Sequence, residues 1–309
     1  MHGNRRPLAA VLLGLLATLS FGSATFHNSF GPNSRARRMI NGLRASENDT
    51  NYMVHVSAHF QDGSASWCGG SLITDRLIST AAHCVSKPGN KEKILTSVTV
   101  SVNKLNTDEK RISDIDAVFI HPNYFLDPIV PNDLALVVLS EPVKLCSTPD
   151  FTFPVRLVMS APDSSTSALN ESTDCWLRGW GDNEEGRVST HLLAMPLNGR
   201  RWFFKDLFRF ATTTKTKACN GDSGGPVVCR LPDGKQYQIG VAVGLDSAKG
   251  YRSFECNHSD LLVVLDLRKH TTFIRNVLQE LQMDTSILER GSGRNGRCAS
   301  ENRSQKRVR

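Results

Sequence analysis

A chain of 309 residues with 39% apolar and 22% charged positions has the composition of a globular protein with room for one large or two small domains, which excludes a disordered polymer. Its net charge of +7 lies at the two ends: residues 1–38 hold five arginines and no acid, and from Arg290 onward seven Lys/Arg face Glu301 alone. The body between them is mildly acidic, so a nucleic-acid-reading protein is not supported.

The chain opens with Arg5 and Arg6, an apolar run from Leu8 to Leu19, and Gly22-Ser23-Ala24. Charge, apolar stretch and small residues in that order predict a signal peptide over 1–24; a buried strand or helix is the alternative. The run is short for a bilayer and no later run reaches spanning length, so no transmembrane segment is expected and the product should be secreted and extracellular. Export leads to an oxidising compartment, where the 8 cysteines pair as disulfides rather than serve as metal ligands. It also makes the sequons at Asn48, Asn170, Asn257 and Asn302 candidates for glycan. A polar segment, 25–38, then ends in Arg35-Ala36-Arg37-Arg38, which looks like the site cut by furin-like convertases. A basic run can also be a surface patch or a targeting signal, but its place directly before the body favours a propeptide cut after Arg38.

Short β-rich segments follow at Ser71 to Ser79, Ser97 to Val102, Ala117 to His121, Leu134 to Leu139 and Gln238 to Val243, separated by Gly, Pro, Asn and Asp clusters. Such punctuation predicts an all-β sandwich or barrel. Phe273, Ile274, Val277, Leu278 and Leu281 recur at helical spacing and predict a C-terminal helix packed by one face. The remainder, 283–309, is polar and basic and reads as a flexible tail. It could touch heparin-like polyanions or acidic membranes, although a solvated terminus is the plainer reading.

Hydrolysing a peptide with a hydroxyl requires a base for its proton, a group that holds the base, and donors for the oxyanion. The run Cys219-Asn220-Gly221-Asp222-Ser223-Gly224-Gly225-Pro226 carries a serine among glycines that permit a tight turn. That turn lets the N–H groups of Gly221 and Ser223 converge, and one such donor contributes about 3 kcal/mol to the transition state. A Gly-rich turn with an incidental serine is the bland alternative. No His-Glu-X-X-His run offers a metal hydrolase instead, and no cofactor or metal is expected.

Three segments, Thr80-Ala81-Ala82-His83-Cys84, Asn132-Asp133-Leu134-Ala135-Leu136 and Gly221-Asp222-Ser223-Gly224-Gly225-Pro226, stand in the order and near the separations seen in chymotrypsin/trypsin-like serine proteases. Met39-Ile40-Asn41-Gly42, Trp67 to Ile73, His121-Pro122-Asn123-Tyr124 and Gly179-Trp180-Gly181 extend the resemblance over Met39 to about Gln282, with Glu184 to Lys217 divergent. The resemblance implies two six-stranded antiparallel β-barrels side by side with a C-terminal α-helix, a protease domain over 39–282 whose first barrel spans about 39–155 and second about 156–282. It implies His83 as general base, Asp133 as its orienting partner and Ser223 as nucleophile, in the roles of the Ser-His-Asp triad. His55, His59, His121, His191, His258 and His270 lack the flanks of the catalytic histidine and read as core or surface residues. Resemblance further implies the disulfides Cys68–Cys84, Cys175–Cys229 and Cys219–Cys256, leaving Cys146 and Cys298 to each other or to another chain.

The same likeness implies a zymogen, in which cutting after Arg38 frees the α-ammonium of Met39 to pair with Asp222. Met39 stands where relatives carry Ile or Val. Other departures concern the cleft. No cysteine lies between Cys175 and Cys219 to form the family's loop, and Ala242-Val243-Gly244-Leu245 replaces the usual Ser-Trp-Gly. Lys217, six residues before Ser223, occupies the floor of the specificity pocket, and Leu262 replaces a wall glycine. An ammonium there favours acidic side chains, whereas a lysine turned to solvent leaves a shallow apolar pocket. Two functions are therefore open: an active endopeptidase on polypeptide substrates, subject to protein protease inhibitors, or a catalytically silent relative acting as a secreted binding or regulatory module.

Overall fold

Met53–Phe60 alternates with period two: Val54, Val56, Ala58 and Phe60 are buried, while His55, Ser57 and His59 lie on the other side. One apolar and one polar face is the pattern of a strand with its back to a core. The computed structural model describes residues 39, 42–45, 51–86, 95–102, 114–124, 131–145, 152, 154–164, 169, 173–182, 189, 192–212, 216–247, 256 and 259–290. The signal-peptide segment, Arg38, the asparagines of all four sequons, Cys146 and Cys298 lie outside them.

The first barrel consists of β2 (Met53–Phe60), β3 (Ala65–Leu72), β4 (Leu77–Thr80), β5 (Leu95–Val102), β6 (Ile115–Ile120) and β7 (Ala135–Leu139), ordered β5-β2-β3-β4-β7-β6. The segment expected at Ser71 to Ser79 is two strands, because the Thr74 hydroxyl accepts the N–H groups of Arg76 and Leu77 and turns the chain between β3 and β4. The uninterrupted run Ala135-Leu136-Val137-Val138-Leu139 is wholly buried, as befits a strand flanked by β4 and β6.

The second barrel closes on itself. Its strands are β8 (Cys175–Gly179), β9 (Leu193–Phe204), β10 (Leu207–Ala211), β11 (Pro226–Arg230), β12 (Gln236–Asp246) and β13 (Leu261–Asp266). They pair β9-β10-β13-β12-β11-β8, and β8 pairs back to β9. The β8–β9 pairing joins strands that would otherwise be open edges of the sheet. Cys175 and Cys229 face each other in the β8–β11 register and are joined by their disulfide. A two-residue strand β1 (Leu43–Arg44), early in the chain, adds to this barrel through β9. The fold is thus the expected pair of six-stranded antiparallel barrels with a C-terminal helix, β1 being an extra strand on the second.

A buried amide ties the barrels together. Gln238 on β12 accepts a hydrogen bond from Ser71 Oγ at 2.8 Å and donates from Nε2 to Ser79 Oγ at 3.2 Å and to the Gly240 carbonyl. Its residue is fully buried, so these partners offset the cost of removing an amide from water.

After β13, the side chain of Asp266 accepts the N–H of Arg268 and caps the 3-10 turn Leu267–His270. The helix Thr271–Glu280 then packs Ile274, Val277 and Leu278 inward, as its periodicity predicts. The expected boundary of a flexible tail at 283 is too early. A second short helix, Ile287–Arg290, buries Ile287 and Leu288 next to the 3-10 turn Val158–Ser160, because two adjacent apolar residues give the polar segment a reason to fold back. Among the described residues no helix is long and apolar enough to cross a membrane.

Leu288→Ala is expected to lower the unfolding free energy by about 3 kcal/mol, read by equilibrium urea denaturation with disulfides intact. Exposed Gln279→Ala is expected to leave it within about 0.5 kcal/mol.

Candidate active site

β4 delivers Thr80 and Ala81 into the core, and the chain then enters the short helix Ala82–Val85 that carries His83. The Cys68–Cys84 disulfide pins this helix to β3, and a His83 ring nitrogen lies within 4.8 Å of both sulfurs. Asp133 stands just before β7, after Asn132, whose φ of 61° is a left-handed conformation that asparagine tolerates better than most residues. This kink presents the Asp133 carboxylate to His83. Its Oδ1 accepts the His83 backbone N–H at 2.9 Å, and its Oδ2 lies 2.6 Å from His83 Nδ1. The carboxylate is an acceptor, so it selects the tautomer with hydrogen on Nδ1 and leaves Nε2 as the free base. Asp133 is buried, whereas the His83 side chain is 28% exposed. The imidazole therefore reaches solvent while its partner does not.

Ser223 sits in a turn built by glycines. Gly221 and Gly224 have φ of 91° and 78°, Asp222 N–H donates to the Cys219 carbonyl, and Gly225 N–H donates to that of Asp222. A Cβ at Gly224 would strike the Thr80 hydroxyl and the Gly69 carbonyl. One at Gly69 would lie 2.8 Å from Gly225 Cα. Only bare backbone on both sides lets the turn reach β3 and the end of β4, three residues before His83. Gly69 N–H then donates to the Ser223 carbonyl at 2.8 Å. Two further bonds, Gly224 N–H to the Ala242 carbonyl and Ala242 N–H to that of Gly225, fasten the turn to β12. Among the described residues, no hydrogen bond occupies the N–H of Gly221 or of Ser223.

Asp222 points the other way, into the second barrel. Its Oδ1 accepts from Gly181 N–H and its Oδ2 from Cys219 N–H, both at 2.9 Å. Gly179 and Gly181 are glycines because any side chain there would collide with this carboxylate. Burial pushes its pKa up to about 7; the two N–H donors work against that shift and Asp182 adds to it. Met39 is 1% exposed, with its sulfur packed toward Gly42.

The expected disulfide Cys219–Cys256 is formed and anchors the start of the serine turn. Lys217, just upstream, is half-buried. Leu262 is 2% exposed and stands across from Phe210 on β10 and Leu245 on β12. Part of the divergent stretch forms the β9–β10 hairpin, and its turn carries a buried aspartate, Asp206, that motif reading did not single out. Asp206 accepts the Asn132 N–H at 2.8 Å and lies 2.8 Å from His270 Nε2. No local pattern could reveal this, since residues 132, 206 and 270 meet only in the folded chain.

In the intact chain the raised carboxyl of Asp222 sets a pH dependence. An acid that ionises less readily when folded makes the folded state bind more protons than the unfolded one, so stability falls as pH rises between the two pKa values. Uncut Arg38→Ala protein should lose stability from about pH 4 to about pH 7, and adding Asp222→Asn should flatten that slope in urea midpoints measured across the range.

Comparison with known proteins agrees with this geometry. The family model described as Trypsin matches residues 39–259. Chymotrypsin-C of Rattus norvegicus is 27% identical over 282 residues, covering 86% of this chain and 97% of the relative. Chymotrypsin-C of Mus musculus is 27% identical over 263 residues, covering 78% and 90%. Among solved structures, one titled HL collagenase superposes with a TM-score of 0.60 at 23% identity, over 79% of this chain and 99% of its own, a likeness that speaks for the fold. With its barrels, paired histidine and aspartate, and glycine-framed serine, the chain belongs to the trypsin family of chymotrypsin-like serine proteases.

Proposed function

We propose that this protein is a secreted serine endopeptidase acting through Ser223, His83 and Asp133. The double hydrogen bond between Asp133 and His83, with the Ser223 turn docked three residues upstream, is the observation that carries this reading. His83 Nε2 takes the proton from Ser223 Oγ as that oxygen attacks the scissile carbonyl. Asp133 holds the imidazole and stabilises its charged form. The carbonyl oxygen, now negative, is received by the N–H groups of Gly221 and Ser223. Collapse expels the amine with the proton from His83 and leaves an acyl-enzyme. Water, deprotonated by His83, then releases the acid and restores the serine.

The protein is made as a zymogen. Asp222 is a buried carboxylate met by two neutral N–H donors, and an ammonium freed at Met39 would supply the opposite charge. Pairing would bring its pKa down and order the turn on which Gly221 and Ser223 lie. Burial of Leu262 among Phe210 and Leu245 favours a shallow pocket for small apolar residues over deep entry of a long side chain, with Lys217 disfavouring basic ones.

Protein cut after Arg38 is expected to take up a fluorophosphonate on Ser223. Ser223→Ala should abolish the adduct, and His83→Ala should slow labelling about a thousandfold or more. Folded, correctly cut protein that stays unlabelled would instead identify a silent binding module. Processing is testable separately: Arg35→Ala should be secreted uncut, because a furin-like convertase reads the upstream arginine, and active wild-type material should begin at Met39 by N-terminal sequencing.

A further inference from the structure

We infer that Asp206, at the β9–β10 turn of the second barrel, is a positioning residue for Asp133 of the first barrel, acting through the N–H of Asn132 and clamped by His270. The inference rests on the reading of His83 and Asp133 as the catalytic pair; it concerns how their geometry is held.

Among the described residues, the carboxylate of Asp133 receives both of its hydrogen bonds from His83. Nothing in those two bonds fixes the pair against the second barrel, where Ser223 lies. The neighbouring residue does so. Asn132 is held at a φ of 61°, a left-handed conformation that needs support from its surroundings, and its N–H donates at 2.8 Å to Asp206 Oδ2. Asn132 Nδ2 reaches the Asn123 carbonyl, and the Leu134 N–H returns to the Asn132 carbonyl. The bond to Asp206 is therefore the strut that crosses between barrels at the residue preceding Asp133.

Asp206 is suited to that task. Its backbone carbonyl accepts the Asp266 N–H at 2.7 Å, and Asp266 caps the turn that places His270. His270 Nε2 meets the same Oδ2 that receives Asn132. Burial acts to raise the Asp206 carboxyl, but the bonds from His270 and Asn132 outweigh it and hold the pKa below its ordinary value, so the acceptor is an anion at neutral pH. His121, at the end of β6, packs edge-on against both His270 and Phe273 at 4.9 Å. Burial, with His270 adding, pushes its pKa down to about 4. A neutral His121 leaves the His270–Asp206 pair undisturbed. Among the described residues the buried His270 Nδ1 atom has no hydrogen-bond partner, so the ring's side-chain hydrogen bond is the one to Asp206.

The test uses cut, full-length protein with Asp206→Ala and Asp206→Asn. Asparagine keeps an oxygen at the point where the Asn132 N–H and His270 Nε2 converge and puts its amide nitrogen in place of Oδ1, which has no hydrogen-bond partner among the described residues. Asp206→Ala is expected to lower kcat per titrated active site roughly tenfold with KM nearly unchanged. It should also shift the downfield NMR resonance of the proton between His83 and Asp133, whereas Asp206→Asn keeps most of the rate and the resonance. Equal losses in both variants, or an unmoved resonance and kcat in folded Asp206→Ala, would overturn the inference. If Asp206→Ala fails to fold, His270→Leu and His270→Gln replace it: the leucine variant should lose rate and shift the resonance while the glutamine variant, retaining a donor, does not, and equal behaviour overturns the idea. Wild-type protein without turnover would refute the proposed activity alone, because the resonance still reports whether Asp206 holds the pair.

Discussion

Backbone meets backbone where β3 crosses the serine turn. Gly69 and the pair Gly224-Gly225 approach so closely that a Cβ on Gly69 or Gly224 would collide, and the 2.8 Å bond from Gly69 N–H to the Ser223 carbonyl bridges the gap. The first barrel owns His83 and Asp133, the second owns Ser223, and this seam brings them to one place. Gln238 supports it from below through Ser71 and Ser79. A side-chain-free contact leaves little room for the barrels to shift against each other, and the proposed catalysis would depend on such fixed positioning.

Three buried aspartates serve this arrangement by different electrostatic means. Asp133 faces a histidine that can take up positive charge, and the pair shares a short 2.6 Å contact. Asp206 faces another histidine and a strained backbone N–H, and is held below the ordinary carboxylate range by them despite its burial. Among the described residues, the hydrogen bonds that Asp222 accepts come from neutral N–H donors, and burial, with Asp182 adding, pushes its pKa up to about 7. The same side chain is thus held as an anion at Asp206 and left with an unsettled charge at Asp222. A new cation next to such an unsettled charge would alter both the carboxylate and the turn it belongs to, which is what the proposed zymogen activation requires.

The motif residues could be read from the chain because their neighbours constrain them locally. His83 is flanked by a cysteine that ties it down, Ser223 by glycines that free its backbone, and Asp133 by an asparagine that accepts a left-handed bend. The amphipathic spacing of Ile274, Val277 and Leu278 similarly announces the helix, because a helix on a surface must bury one stripe. Strand ends were less legible: Thr74 turns the chain inside an apparently continuous β segment by a side-chain bond that propensity alone does not reveal.

What the sequence by itself determined is the set of chemically capable groups and an all-β pattern with a C-terminal helix, since each follows from short runs whose neighbours are adjacent in the chain; the three disulfides and the pair of barrels came from the family resemblance that those runs carry. Only the tertiary structure decided that Asp206 and His270, an acid from a divergent segment and a histidine without a motif, meet at Asn132. It also decided that Leu262 is enclosed by Phe210 and Leu245 and that Leu288 packs beyond the apparent end of the fold. Each of these depends on residues far apart in sequence, and side-chain burial is set by the partner that arrives across space, which no local pattern encodes.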